Sequence, residues 1–408
     1  MQVKVRQIFR FYPTLPQERQ LAKEFGCARH AYNWALTLRT DSFKAGKPVN
    51  YNASSAAWTK HRNDPEFSWL RNCSSISQQQ ALRHLQTAFS NFFAKRTKYP
   101  KFHSKHRKQS AEYTASGGFK YDPINRNLTI SKVGRLHIKW SREFTSMPTT
   151  VTIIKDCAGK YFVTFWLDEP AKVALSKTGE QVGIDLGISR LATLSNGERI
   201  ANPRHTSAHA VKLARLSRVL SRRKKGSKRW QCQKIRVARL HAHIADSRKD
   251  VLDKLTTDLV RRFDVIAIED LNVRGMVRNH KLAKAISCAS FGEFRAMLKY
   301  KAGWYGKEVR VADRFFPSSK RCHCCGHIHE KMPLDIREFT CENCGEQLDR
   351  DENAAHNILK FAKVISPTTA GQAGSNGRGE HVRPRRALAR RGNVRRSVNQ
   401  PGSVSCLI

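Results

Sequence analysis

The chain is short of acid. Its 408 residues hold 33 Asp and Glu against 75 Lys and Arg, a formal charge of +42. Such an imbalance repels itself unless a polyanion is present, which excludes an acid-free main partner. Nucleic acid is the natural one, with binding that falls steeply as salt rises. Long apolar runs are also missing. None approaches the roughly 20 residues that cross a bilayer, and no signal-type apolar segment follows Met1. No membrane role is expected, and a cytoplasmic protein is. Disulfide-type spacing is absent too. The 11 cysteines are odd in number, and Cys27, Cys73, Cys157, Cys232, Cys288 and Cys406 stand alone, as reduced thiols do. No internal repeat is found, and this length suggests two to three domains.

What is present begins with an alternating stretch at 3–11. Val3, Val5, Gln7, Phe9 and Phe11 share one face, and Lys4, Arg6, Ile8 and Arg10 the other, so a strand is predicted. Thr14 with Gln17 three residues on, and Pro16 in the first turn, marks a helix start. A second helix is predicted over about 76–96, with Leu82, Leu85, Phe89, Phe92 and Phe93 forming a core face. Residues 95–108 are densely basic around Tyr99 and Phe102, a pattern suited to nucleic-acid backbone and stacked bases. Strands are predicted at Leu128–Ile130, Leu136–Trp140, Thr150–Lys155 and Tyr161–Leu167. They suggest a small barrel or sheet that the strand at 3–11 can join.

From 181 the order becomes strand, strand, helices, strand, helix, strand. Residues 212–249 hold 14 Lys or Arg and one acid, Asp246. Leucines at helical spacing and a break at Gly226 predict a basic helical hairpin. Arg222, Arg223, Lys224, Lys225, Lys228 and Arg229 at its turn are candidate phosphate contacts, as is Lys101. A second helix, with Leu252, Leu255, Leu259 and Phe263, follows. Residues 365–408, rich in Ser, Gly, Pro and Thr with eight arginines, read as a disordered basic tail.

Two constellations carry chemistry. Cys322-His323-Cys324-Cys325-Gly326 and Cys341-Glu342-Asn343-Cys344-Gly345 are two CxxC knuckles 15 residues apart. Four thiolates so spaced can converge on one tetrahedral Zn²⁺. The matching glycines select Cys322 and Cys325, rather than Cys324, as the first pair. With no open position, such a zinc is structural. The other constellation is acidic. Asp185 lies in Gly183-Ile184-Asp185-Leu186-Gly187, Glu269 ends the apolar strand Val265–Ile268, and Asp351 opens a helix in Asp349-Arg350-Asp351-Glu352-Asn353-Ala354-Ala355. Three carboxylates from two strand ends and a helix start can hold two Mg²⁺ ions for in-line phosphodiester hydrolysis. Asp270 and Asp349 compete with them; Asp270 is expected to point away from Glu269, and Asp349 to cap the helix or orient a ligand. The pairs His327/His329 and His241/His243 mimic the metal pair of tyrosine nickases, but neither lies on a clear core strand.

With these motifs in order, the chain resembles the TnpB family, RNA-guided nucleases of insertion sequences related to type V CRISPR effectors. Further stretches carry the resemblance: Phe9–Thr14, Tyr99-Pro100-Lys101-Phe102, Leu220–Ser227, Ile268-Glu269-Asp270-Leu271 and Phe316-Pro317-Ser318-Ser319-Lys320. The family's last motif extends through His356 and Asn357. Together they reach from residue 9 to about 360. The resemblance implies α/β plus β-barrel architecture: a RuvC-like (RNase H) fold with Asp185, Glu269 and Asp351 as its metal triad. It implies a wedge β-barrel split between 1–13 and 119–178, and a helical recognition lobe at 14–118. The nuclease is expected at 179–308 and 348–364, with a zinc ribbon inserted at 309–347. It further implies a guide RNA from the element's end, a double-stranded target DNA beside a short flanking motif, and a monomeric ribonucleoprotein that is nucleoid-associated in a prokaryote. Tyr51 and Gln79 fall where the family contacts the flanking duplex. Cys324 is a departure, an extra thiol inside the first knuckle. A DNA strand-transfer transposase shares the acidic triad, and a catalytically inactive RNA-guided DNA-binding protein shares everything but its acids.

Overall fold

The computed structural model describes residues 2–144, 146–333 and 336–364. The tail expected at 365–408 lies outside the described residues. Strand β1 (Gln2–Phe11) is followed by helix α1 (Leu15–Lys44), where Gln17 Oε1 accepts the Thr14 backbone N–H at 3.0 Å, as the capping motif requires. Helix α2 (Tyr51–Asn63), a 3₁₀ segment (Pro65–Asn72) and α3 (Ser75–Phe93) pack on α1. Their core joins Ala31, Tyr32, Leu36, Trp58, Leu82, Leu85 and Phe89. Phe93 is not part of it. It is 71% exposed, because α3 ends there and neighbouring residues cannot share one helix face. Phe92 is only half-buried, and Tyr99 packs edge-on against it and Phe89.

The strands that follow are β2 (Gln109–Thr114), β3 (Phe119–Asp122), β4 (Asn127–Ile130), β5 (Gly134–Leu136), β6 (Ile138–Lys139), β7 (Thr150–Lys155) and β8 (Tyr161–Pro170). A five-stranded sheet has the order β2-β7-β8-β1-β6, and β3, β4 and β5 form a smaller one. The N-terminal strand thus enters the later sheet, antiparallel to β8, with Phe9 opposite Val163 and Phe11 opposite Tyr161. Their alternation puts Phe9, Phe11, Val163 and Phe165 in one core. Gln109–Thr114, placed with the helical segment by sequence, is an edge strand here. Its short, polar run conceals the two residues that are buried, Ala111 and Tyr113.

The second half is built on a six-stranded sheet. Its members are β9 (Gln181–Asp185), β10 (Arg190–Leu194), β11 (Arg199–Ala201), β12 (Val265–Glu269), β13 (Glu308–Ala312) and a final strand at Lys363–Val364. From one edge the order is β11-β10-β9-β12-β13 and then the final strand; β12 lies parallel to both β9 and β13. A parallel strand between two neighbours is buried on both faces, and Val265, Ile266, Ala267 and Ile268 are all apolar and buried.

Between β11 and β12 run α4 (His205–Ala208), α5 (Ala210–Ser221) and α6 (Lys228–Arg262). The hairpin expected at 212–249 is present, with Gly226 at φ +89° in its turn. The helix expected after it is not separate. No Gly or Pro interrupts 228–262, so α6 continues for 35 residues, a length of about 50 Å. Its first half carries the basic turn, and Leu252, Leu259 and Val260 in its second half enter the sheet core. Helices α7 (Val273–Met276), α8 (Ala283–Ala289) and α9 (Phe291–Tyr305) follow β12. Lys301 of α9 is buried and bonds Asp253 Oδ1 at 2.9 Å and Thr256 Oγ1 at 2.9 Å, fixing α9 to α6. A small ribbon, with β14 (Glu338–Thr340) and β15 (Gln347–Asp349) antiparallel, leads into α10 (Arg350–Phe361).

Candidate active site

Asp185 and Glu269 end two strands that lie side by side. β9 and β12 are parallel with Ile184 opposite Ile268, so the next residue on each strand is one of the two acids. Asp351 reaches them because α10 packs directly on β9. Gly183 makes this possible: a Cβ there would stand 1.9 Å from the Ala355 carbonyl oxygen and 2.9 Å from Leu359. Ala354, Ala355 and Ile358 complete that contact, fully buried. The glycine before Asp185 and the two alanines after Asp351 are thus halves of one helix-on-strand contact.

The three acids are held differently. Asp185 accepts no hydrogen bond among the described residues. Its carboxyl is pushed up to about 8, by burial first and then by Glu269 and Asp351, with Arg350 and Arg337 acting in the opposite direction. Glu269 Oε1 accepts the Ser318 hydroxyl at 2.5 Å. Asp351 receives Arg337 on both oxygens, at 3.1 and 3.2 Å, while Arg337 also reaches Ser189 Oγ at 3.4 Å. Among the described residues the three acids do not form a cluster of ligand atoms within 4.8 Å of one another. They meet electrostatically, with Glu269 and Asp351 each turned toward its own restraint. Burial and neighbouring carboxylates that push a carboxyl up are what a divalent cation offsets, and three carboxylates are a donor set that fits hard oxygen-seeking metals.

The competing acids have other work. Asp349 caps α10: its Oδ1 accepts the N–H groups of Asp351 at 2.9 Å and Glu352 at 3.1 Å, and its Oδ2 pairs with Arg199 at 2.8 Å. Asp270 points away from Glu269 into Arg295 and Arg314, the latter at 2.5 Å. These two arginines hold its carboxyl below the usual range against the opposing effect of burial.

The four knuckle cysteines converge. Cys322, Cys325, Cys341 and Cys344 lie within 4.8 Å of one another, with Cys322–Cys344 at 3.7 Å and Cys325–Cys341 at 3.6 Å. A tetrahedral site with Zn–S of about 2.3 Å separates its sulfurs by about 3.8 Å, so the spacing suits one zinc. Gly326 and Gly345, at φ +82° and +71°, close the two turns, and their N–H groups donate to Cys322 O and Cys341 O at 3.0 and 2.9 Å. Cys324 stays outside the cluster, 3.4 Å from His323 Nε2.

The ribbon is tied to the acids from both sides. Asn353 Nδ2 donates to Arg321 O at 2.8 Å, and its Oδ1 accepts His323 N at 2.8 Å. Asn357 Nδ2 donates to Ser318 O at 2.9 Å. So α10, which carries Asp351, also holds the first knuckle and the Ser318 that restrains Glu269. Ser318 and Arg337 were not singled out by sequence. Ser318 stood inside a stretch quoted only for its resemblance, and nothing distinguishes Arg337 from 74 other cations until the ribbon folds.

The candidate nucleic-acid residues fall in two places. Tyr51 and Gln79 come together: Gln79 Nε2 donates to Tyr51 Oη at 3.3 Å and to Ser55 Oγ at 2.8 Å, adding Ser55 to the pair. Arg222, Arg223, Lys224, Lys225, Lys228 and Arg229 line the α5–α6 turn, where the Arg223 guanidinium folds back on Arg229 O at 2.6 Å. Lys101 is exposed in the segment after α3.

Comparison with known proteins agrees with this layout. Family models match residues 165–280 ("Probable transposase", OrfB), 291–358 ("Cas12f1-like, TNB domain") and 1–48 ("Helix-turn-helix domain"). The last stretch is here one strand and one long helix. A Streptomyces pristinaespiralis protein named "Putative RNA-guided DNA endonuclease" is 46% identical over 98% of this chain and 96% of its own. InsQ of Escherichia coli K12, with the same description, is 31% identical over 88% and 92%. Among solved structures, a Cas12f1 complex with guide RNA and target DNA superposes at TM-score 0.58 with 12% identity, covering 88% of this chain and 99% of that one. The mini-RNA-guided endonuclease Cas-phi3 superposes at 0.54 with 9% identity, covering 88% and 92%. The fold is therefore that of these effectors, a six-stranded sheet with a small ribbon inserted between β13 and α10. Identities of 46% and 31% to the two named endonucleases, along nearly the whole length of both proteins, place the chain in the OrfB/TnpB family of RNA-guided DNA endonucleases.

Proposed function

We propose that this chain cuts double-stranded DNA, directed by an RNA from its own element, at a centre made by Asp185, Glu269 and Asp351. The observation that carries the proposal is the pairing of two acid-tipped parallel strands with a third acid that a glycine-mediated helix contact delivers. Asp185, Glu269 and Asp351 would hold two Mg²⁺ ions, which would supply an activated water and neutralise the leaving oxygen. The chain's own residues do the positioning. Ser318 fixes the Glu269 carboxylate by hydrogen bond, and the Asp349 cap sets the first turn of α10, hence the place of Asp351. Arg337 pairs with both Asp351 oxygens, so a cation taken up by that carboxylate would have to displace it. The cysteine cluster acts as a structural zinc site that keeps Arg337 and Ser318 on either side of the acids.

The remaining surface binds rather than cuts. The basic α5–α6 turn and Lys101 suit a phosphate backbone, while base pairing with the guide reads sequence. Tyr51, Ser55 and Gln79 form a polar group suited to the flanking duplex. The five-stranded sheet, with β1 inserted, serves as the wedge between recognition and nuclease halves.

The test is cleavage of a target library by protein co-purified with RNA from the element's 3′ flank, a guide-matched site lying beside randomised bases. Depletion of a subset of flanks that needs Mg²⁺ and Asp185 is expected. No depletion by intact, RNA-bound protein overturns the reading. Joining of DNA ends without guide dependence instead assigns the strand-transfer activity that the name of the matching 165–280 model suggests.

A further inference from the structure

The ribbon carries a second set of ligand-type side chains that the four cysteines do not use. His327 and His329 follow the first knuckle, and Glu342 sits beside Cys341 in the second. Each offers one ligand atom, and these atoms lie within 4.8 Å of one another. His327 Nε2 is 3.8 Å from Glu342 Oε2, and His329 Nδ1 is 3.8 Å from Glu342 Oε1. The backbone arranges this. Ile328 pairs with Arg321 in a β-bridge, so the flanking residues 327 and 329 project to the same side. The two rings stand edge to face with centroids 5.0 Å apart.

His329 is the informative member. It is 5% exposed, its backbone N–H is fixed on Lys320 O at 3.0 Å, and Phe339 packs edge-on against its ring at 5.1 Å. Its Nδ1 faces the carboxylate at a distance too long for a hydrogen bond, while its Nε2 is buried with no partner among the described residues. Two imidazole nitrogens that both face one carboxylate from beyond hydrogen-bond reach leave room among the three groups for an ion. A metal bound there takes His329 at Nδ1 and leaves the ring proton on Nε2. With Zn–N and Zn–O of about 2.0–2.2 Å, a tetrahedral centre spaces its ligands by about 3.3–3.5 Å, a contraction of a few tenths of an ångström from the observed 3.8 Å. Imidazole with carboxylate suits zinc rather than magnesium.

We propose that His327, His329 and Glu342 bind a second transition-metal ion, zinc by their chemistry, with a fourth position open to water. The ion clasps the segment after the first knuckle to the second knuckle from outside the cysteine cluster. The test is metal content of the full chain purified with its RNA, with parallel cobalt titration. Two zinc ions per chain are expected for the natural protein. One is expected for His327→Ala and for Glu342→Gln, the latter changing a side chain that is 78% exposed and so sparing the fold. In the cobalt titration the thiolate charge-transfer band saturates at one equivalent in all three, and only the natural protein takes up a further equivalent without adding to that band. One zinc in the natural protein, or two in both variants, overturns the proposal. Loss of both ions on Glu342→Gln also overturns it, by making these residues part of the cysteine site.

Discussion

The cysteine cluster and the acid centre lie at opposite ends of readiness. The four sulfurs already stand at zinc-like separations, delivered by two tight turns of one short segment. The three acids come from positions 185, 269 and 351: Glu269 is held by Ser318 and Asp351 by Arg337, while the buried Asp185 carboxyl is raised and has no hydrogen-bond partner among the described residues. A structural site gains from being pre-formed, because its metal contributes folding free energy. A cutting site, the role proposed for the acids, would gain from assembling only when cation and phosphate are both present. The two are also joined, since Asn353 and Asn357 link α10 to the first knuckle.

The sharpest way to break this contrast is to remove one acid. Asp185→Ala is expected to lower cleavage by roughly three orders of magnitude or more while RNA binding stays near that of the natural protein. Filter binding beside a cleavage assay checks it, and lost RNA binding would make Asp185 a folding residue. Next in size, Cys341→Ser is expected to abolish zinc at the cysteine cluster, where binding supplies about 10–16 kcal/mol of local folding free energy. Cutting then falls through misplacement of Arg337 and Ser318. Zinc content together with proteolysis of the 309–347 segment measures this, and a variant that keeps its cluster zinc contradicts it.

A smaller effect is expected from Ser318→Ala, which frees Glu269 without touching an acid. Partners of metal ligands typically contribute about 10–100-fold to affinity or activity, so the Mg²⁺ concentration needed for half-maximal cutting should rise by that order. An unchanged Mg²⁺ requirement removes Ser318 from the account. The mildest test is pH. Below the ordinary carboxylate range both folded and unfolded chains hold the Asp185 proton; between that range and about 8 only the folded chain holds it. Without Mg²⁺, stability contributed by this group therefore falls as pH rises to about 8, and the stabilisation by added Mg²⁺ grows over the same window. Melting curves with and without Mg²⁺ report both slopes, and Asp185→Asn should flatten them.

Much of this centre was legible in the chain because its chemistry is local. The CxxC-Gly knuckles, the acids at the ends of apolar runs and the Thr14–Gln17 cap each declare themselves within a few residues. What stayed hidden depends on distant contacts. Gly183 has no role of its own in the apolar strand until α10 is seen against its backbone. Helix α2 buries only Ser54 and Trp58, too few for a periodic signal, so the element bearing Tyr51 and Ser55 went unpredicted. Helix α6 was divided in two because its basic half and its apolar half follow different patterns on one unbroken backbone. Arg337 and Ser318 acquire their roles only through neighbours at 351 and 269.

The most direct test is to locate Mn²⁺ by anomalous scattering in crystals of the protein with its RNA and target DNA. The expected result is two ions bounded by Asp185, Glu269 and Asp351, with Arg337 moved off the Asp351 carboxylate. Cleavage-competent complexes that show no Mn²⁺ at these acids, with Arg337 still seated on Asp351, would contradict the account.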